Sequence, residues 1–159
     1  MKKVFFSFCY QRDNWRVQQI KNMGIVEGQK LCLSNEWEEV KRKGDNAIKK
    51  WIDENMVDKS CVIVLIGSET YGRKWVNYEI KKAWEYKKGL FGIYIHTMKD
   101  SKSQIDQQGK NPFESFTVNG KNLSQYIDVY YPNPCNAYEY IKINLKKWIE
   151  KAILKAKYR

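Results

Sequence analysis

Apolar positions along the chain switch between two spacings. Lys3–Tyr10 (KVFFSFCY) is rich in aromatic and β-branched residues and predicts a buried strand. Arg12–Met23 then places Trp15, Val17, Ile20 and Met23 at roughly helical intervals and stops at Gly24, a natural helix end. Lys30–Leu33 predicts a short strand, and Ser34–Gly44 a polar loop around Trp37. Asp45 predicts the cap of a helix reaching about Val57, with Ile48, Trp51, Ile52 and Met56 on one face. Ser60–Gly67 (SCVIVLIG) is the clearest strand, a continuous apolar run of the kind that parallel sheets cover on both faces. Beyond Ser68–Gly72, Arg73–Lys88 carries the stripe Val76, Ile80, Ala83 and Trp84 and ends at Gly89. Leu90–His96 predicts another strand, Lys99–Gln125 the most loop-like region, and Tyr126–Tyr131 a last strand. Ala137–Lys157 predicts a long amphipathic helix with Ile141, Leu145, Trp148, Ala152 and Ile153 on its apolar face.

Strands and helices in alternation imply βαβ units, and their crossovers build a mostly parallel sheet with helices on both faces. The expected class is α/β. Such sheets bind ligands at the carboxyl ends of their strands, which here are Ser7–Tyr10, Gly67–Ser68 and His96. Neither glycine-rich phosphate fingerprint occurs, so a dinucleotide-binding dehydrogenase and a P-loop nucleotide hydrolase are disfavoured.

Composition narrows the picture. At 159 residues, 43% of them hydrophobic, the chain is expected to form one domain over residues 1–159 with a proper core. No run approaches the roughly 18–20 apolar residues of a membrane helix, so no membrane association is expected. The apolar run after Lys2-Lys3 is cut by Gln11-Arg12-Asp13, too soon for an export signal. Cys9, Cys32, Cys61 and Cys135 lack zinc-ligand spacing, which predicts reduced, mostly buried thiols in a cytoplasmic protein and no bound metal. His96, the one histidine, reads as a strand-end residue more than as a general base.

The formal charge of +11 points first toward nucleic acid. Yet Glu139–Arg159 supplies seven Lys/Arg against two Glu, a net +5 that a solvated helix face explains. With no recognition motif beside it, nucleic acid is not expected as a partner.

Candidate chemistry concentrates in Lys74-Trp75-Val76-Asn77-Tyr78-Glu79-Ile80. Trp75 and Glu79 are four apart, one above the other on a helix. With Val76, Ile80 and Ala83 facing the core, Trp75, Glu79, Lys82 and Tyr86 fall at its flank, where a carboxylate beside an indole is partly desolvated.

This stretch, with Gly89 and the strand Phe91–Ile95 after it, resembles the W-x-x-x-E helix and following strand of TIR domains. Lys3–Tyr10, Val62–Thr70 (VIVLIGSET), the W-V-x-Y-E-I core and Asn111-Pro112-Phe113 further resemble, in consistent order over about residues 3–115, the TIR-like proteins of bacterial Thoeris anti-phage defence. The resemblance implies a flavodoxin-like TIR fold and an NAD+ nucleosidase or cyclase. Such an enzyme breaks the nicotinamide–ribose bond and makes a cyclic ADP-ribose-type signal that activates a separate effector. NAD+ is then substrate, no cofactor is needed, and self-association is expected because such enzymes commonly assemble to complete their sites. Glu79 stands at the family's catalytic glutamate. Ser7, Phe8 and Tyr10 match the strand end that lines the nucleotide pocket, Trp75 could wall it, Asp45 could contact a ribose and Ser68 a phosphate. Cys9 departs from a position where Thoeris relatives often carry histidine. The alternative within the same family is a non-catalytic scaffold that signals through homotypic contacts. A resting enzyme of this kind is expected to turn over slowly.

Overall fold

The computed structural model describes residues 1–31 and 34–159, with side chains for all of these except Ser34 and Asn35. Its central sheet is built on β3 (Cys61–Ile66), flanked by β1 (Lys3–Ser7) and β4 (Gly89–Tyr94). Two-residue strands close the edges: β2 (Glu27–Gly28) beside β1 and β7 (Val129–Tyr130) beside β4. All four pairings are parallel, in the order β2-β1-β3-β4-β7. This is the α/β architecture expected from the alternation, in the flavodoxin-like form that the resemblance implies. The chain leaves β1 toward β2 on one side and returns to β3 on the other, so a topological switch point lies between β1 and β3.

Every residue of β3 and β4 is buried, because helices cover both faces. On one face Val4, Phe6, Ile63, Leu65, Phe91 and Ile93 pack against α1 (Tyr10–Lys21) and α5 (Ala137–Lys157). On the other Phe5, Val62, Val64 and Ile66 pack against α3 (Asp45–Met56) and α4 (Lys74–Glu85). Strand side chains alternate in direction, so Ser7 points to the same side as Phe5, toward α4. α5, with its lysines, lies on the opposite face. Among the described residues no helix is long and apolar enough to cross a membrane.

Several elements differ from expectation. The first strand ends at Ser7 rather than Tyr10, and Tyr10 opens α1. The strand expected at Lys30–Leu33 falls partly outside the described residues, since it includes Cys32 and Leu33. Pairing occurs instead at Glu27–Gly28. Just beyond, the buried Gln29 side chain accepts from the Phe6 N–H at 2.8 Å and donates to the Phe6 carbonyl at 2.8 Å. That amide does the work of a ladder residue, which lets the strand stop early.

The segment expected as a polar loop contains a helix, α2 (Ser34–Arg42). Trp37 and Val40, three apart, turn one face onto the core and outweigh the polar composition. Trp37 meets the Trp51 ring edge-on at 5.6 Å. Asp45 is not a cap: Gly44 holds that position at φ +93°, and Asp45 is the first residue of α3, ion-paired with Lys74. The Lys99–Gln125 stretch holds two short 3-10 turns and a hairpin of β5 (Thr117–Val118) with β6 (Lys121–Asn122). Asn111 caps the first turn by accepting from Phe113 N at 2.9 Å, and Phe113 is fully buried. The last strand shrinks to β7 before the prolines. Cys9 and Cys61 are buried as expected, whereas Cys135 is exposed.

One buried ion pair ties α1 to the far loop. Asp13 and Arg16 are both sequestered from solvent, 3.3 Å apart. Arg16 also donates to the carbonyls of Met98, at 2.7 Å, and Gln104, at 3.1 Å. Asp13 Oδ2 lies against Gly67, where a Cβ would come within 2.2 Å of it, so the end of β3 requires glycine.

Candidate active site

At the carboxyl end of β1, beside the switch point, a cavity opens to solvent. Its walls are mostly aromatic: Phe5, Phe6, Phe8, Tyr10, Trp37, Trp51 and Trp75, with Leu31, Gln29 and Glu79 completing it. Among the described lining residues Glu79 is the one carboxylate, and none is a cation.

The position of Glu79 follows from helix geometry. Val76, Ile80 and Ala83 bury their side chains against the sheet, and Glu79 sits at the edge of that arc, only 7% exposed. Ser7, wholly buried on β1, donates its hydroxyl to Glu79 Oε1 at 2.7 Å. Burial among aromatic rings penalises the charged form and raises the carboxyl pKa to about 8; the Ser7 hydrogen bond opposes the rise without cancelling it. A carboxyl held near neutrality in a cleft is a candidate for chemistry.

The structure brings together five of the seven candidate side chains. Ser7 holds Glu79, while Phe8, Tyr10 and Trp75 line the same cavity. Trp75 is braced edge-on by Tyr78 at 5.8 Å, and Tyr10 packs at a tilt against Trp37 at 6.2 Å. Asp45 and Ser68 lie elsewhere. Asp45 is exposed and engaged by Lys74 outside the cavity. Ser68 donates to Asp106 Oδ2 at 2.7 Å in a separate cluster, where Arg12 and Ser68 hold the Asp106 carboxyl well below its ordinary range. His96 is also remote: it packs edge-on against Tyr94, and burial lowers its pKa.

Sequence reasoning missed six of the ten walls, Phe5 and Phe6 reading there only as buried strand. Trp37 and Trp51 read there as loop and helix-core residues. Gln29 and Leu31 carry no motif, and only the pairing of Gln29 with Phe6 brings them to the site. A cluster of three tryptophans on separate segments around one buried acid is the signal that composition could have offered, since 6 Trp in 159 residues is high.

A sequence model of the family described as "Thoeris protein ThsB, TIR-like domain" matches residues 5–100. A protein of Bacillus cereus (strain MSX-D12) named "Putative cyclic ADP-D-ribose synthase ThsB1" is 35% identical over 134 residues, which cover 79% of this chain and 70% of that protein.

Proposed function

The chain belongs to the TIR-like domain family of the Thoeris protein ThsB, and from that premise we propose that it cleaves the nicotinamide–ribose bond of NAD+ and closes the remainder into a cyclic ADP-ribose-type signal. The observation that carries this reading is the single carboxylate, Glu79, anchored by Ser7 in an otherwise aromatic cavity. That signal would act on a separate effector in anti-phage defence.

The chemistry needs little more than this. As the bond from ribose C1′ to the pyridinium nitrogen breaks, its electron pair neutralises the ring, so nicotinamide leaves without a proton. Positive charge grows on the ribose, and an ionised carboxylate fixed nearby stabilises it. A nitrogen of the same molecule's adenine can then bond to C1′, which releases one proton; attack by water gives the linear product instead. The aromatic walls exclude water and supply faces on which the nicotinamide ring can stack.

Glu79 must be ionised for this role, whereas burial keeps it largely protonated at neutral pH in the free protein. The positively charged nicotinamide ring beside it favours the carboxylate. Activity at low substrate is therefore expected to rise with pH toward about 8, and at saturating substrate to rise at lower pH. Ser7→Ala removes the hydrogen bond that favours the charged form. Nicotinamide release at pH 7 is expected to fall about tenfold, and the rising limb at low substrate to move to higher pH. A profile that keeps its position would show that Ser7 does not support the charge. The reading as a whole is tested by mass spectrometry of the product after incubation with NAD+, which separates cyclisation, hydrolysis and inactivity.

A further inference from the structure

The catalytic cavity is apolar and acidic, with no cation among its described lining residues. It suits the nicotinamide riboside half of a dinucleotide and opposes the doubly charged pyrophosphate, whose desolvation there would find no compensation. A second, open groove adjoins it, sharing Phe8, Tyr10, Trp37 and Trp75 as common walls. Its electrostatics are opposite. Among its described lining residues are Lys41, Arg73 and Lys74, and none is an acid.

Two of these cations stand where folding alone would not put them. Arg73 occupies the N-cap of α4 without making a side-chain cap bond, and Lys74 follows as the first helical residue. The first turn carries no acidic side chain. The amino end of a helix is the positive end of its dipole and ordinarily collects acids, so cations there cost stability in the empty protein. Their present acidic partners are solvent-exposed, and Lys74 also lies over the Trp75 ring, 4.9 Å from its centroid. Lys74 pairs with exposed Asp45, Arg73 with the carbonyl of Glu69 at 3.0 Å, and Lys41 with Glu38 at 3.3 Å. Exposed pairs of this kind are worth little in water and are easily exchanged for a phosphate.

We propose that this groove seats the pyrophosphate of the substrate, with Arg73, Lys74 and Lys41 as its counter-charges and Trp75 as the partition between the anionic and the reacting halves. The assignment rests on NAD+ being the substrate. It explains why the basic pair opens the same helix that carries Glu79: one element positions both halves of the dinucleotide.

The test compares wild type with Arg73→Gln/Lys74→Gln and, as a control for overall charge, Lys142→Gln/Lys146→Gln on the opposite face. ADP-ribose binding, measured by calorimetry, is expected to weaken about tenfold in the groove variant and to be unchanged in the control. In turnover, KM for NAD+ is expected to rise by a similar factor, and the preference for NAD+ over nicotinamide riboside, which has no phosphate, to fall with it. Inorganic pyrophosphate should compete with ADP-ribose on wild type more strongly than on the variant. An unchanged ADP-ribose affinity, an equal loss for NAD+ and the riboside, or an equal effect of the control pair would overturn the assignment. If no protein releases nicotinamide, the catalytic reading fails while the calorimetric comparison still decides the groove.

Discussion

Glu79→Gln is expected to cut nicotinamide release from NAD+ about a thousandfold and, at the same time, to make the fold more stable at alkaline pH. Both effects have one cause. The side chain is buried among rings, so its charged form is costly, and that cost is what makes it effective against a cationic transition state in a site of low dielectric. The pKa in the folded state is raised to about 8 from an ordinary value of 4.5. An acid whose folded pKa is raised contributes no penalty below the unfolded value, where both states are protonated. The penalty grows as pH rises through the window from about 4.5 to about 8, and is complete above it. Glutamine keeps the shape and the Ser7 hydrogen bond but never ionises. Urea unfolding should therefore give the variant about 1–3 kcal/mol over wild type at pH 8, after allowing for an unpaired amide donor, and no gain at pH 4. Equal stability of the two proteins at pH 8 would mean that Glu79 is not buried as described.

The second large effect lies away from the chemistry. Arg16→Met is expected to cost about 3–5 kcal/mol at pH 7, because it leaves the Asp13 carboxylate buried without its partner. It also frees the carbonyls of Met98 and Gln104, to which Arg16 donates. Burial already raises the Asp13 pKa to about 6 against the pull of Arg16. An acid so raised is penalised as pH climbs from its ordinary value of 3.8, so the loss in Arg16→Met should shrink toward pH 4, where Asp13 is protonated in the folded state and about half protonated in the unfolded one. Asp13→Asn/Arg16→Met should recover part of the stability, since the unpaired charge is gone. Urea midpoints at pH 4 and pH 7 check both statements; a loss that does not depend on pH would assign the effect to packing instead.

Much of this molecule is legible in its sequence, for reasons specific to particular segments. SCVIVLIG can only be a strand covered on both sides, and α5 coincides with the amphipathic pattern of Ala137–Lys157 from end to end. The Trp75–Glu79 spacing places both side chains on one helix face, and the family resemblance points to the role proposed for the acid. Periodicity fails where tertiary contacts override composition. α2 reads as polar loop because its apolar content is only Trp37 and Val40, and their partner Trp51 lies on another helix. Asp45 has the chemistry of a cap, but Gly44 takes the strained conformation and leaves Asp45 to Lys74. Ser68 ends a strand, as expected of a phosphate ligand, yet Asp106, nearly forty residues on, takes its hydroxyl. Gln29 shows the same limit from the other side: nothing local in Glu27-Gly28-Gln29 announces a side chain that replaces a strand.

The basic excess that first suggests nucleic acid divides spatially. The terminal helix carries its lysines on the face of the sheet opposite Glu79, whereas Arg73 and Lys74 stand beside the cavity that Glu79 lines. Net charge alone could not separate a solvated helix from a counter-charge for substrate.

In the proposed reaction one buried carboxylate, ionised in the presence of substrate, drives the cleavage of NAD+. Nicotinamide release by wild type and Glu79→Gln, followed from pH 5 to pH 9 at low NAD+ and high protein concentration, tests it most directly. The account predicts a wild-type rate that rises toward about pH 8 and a flat background for the variant. Equal release by the two proteins, or a wild-type rate that falls across that range, would contradict it.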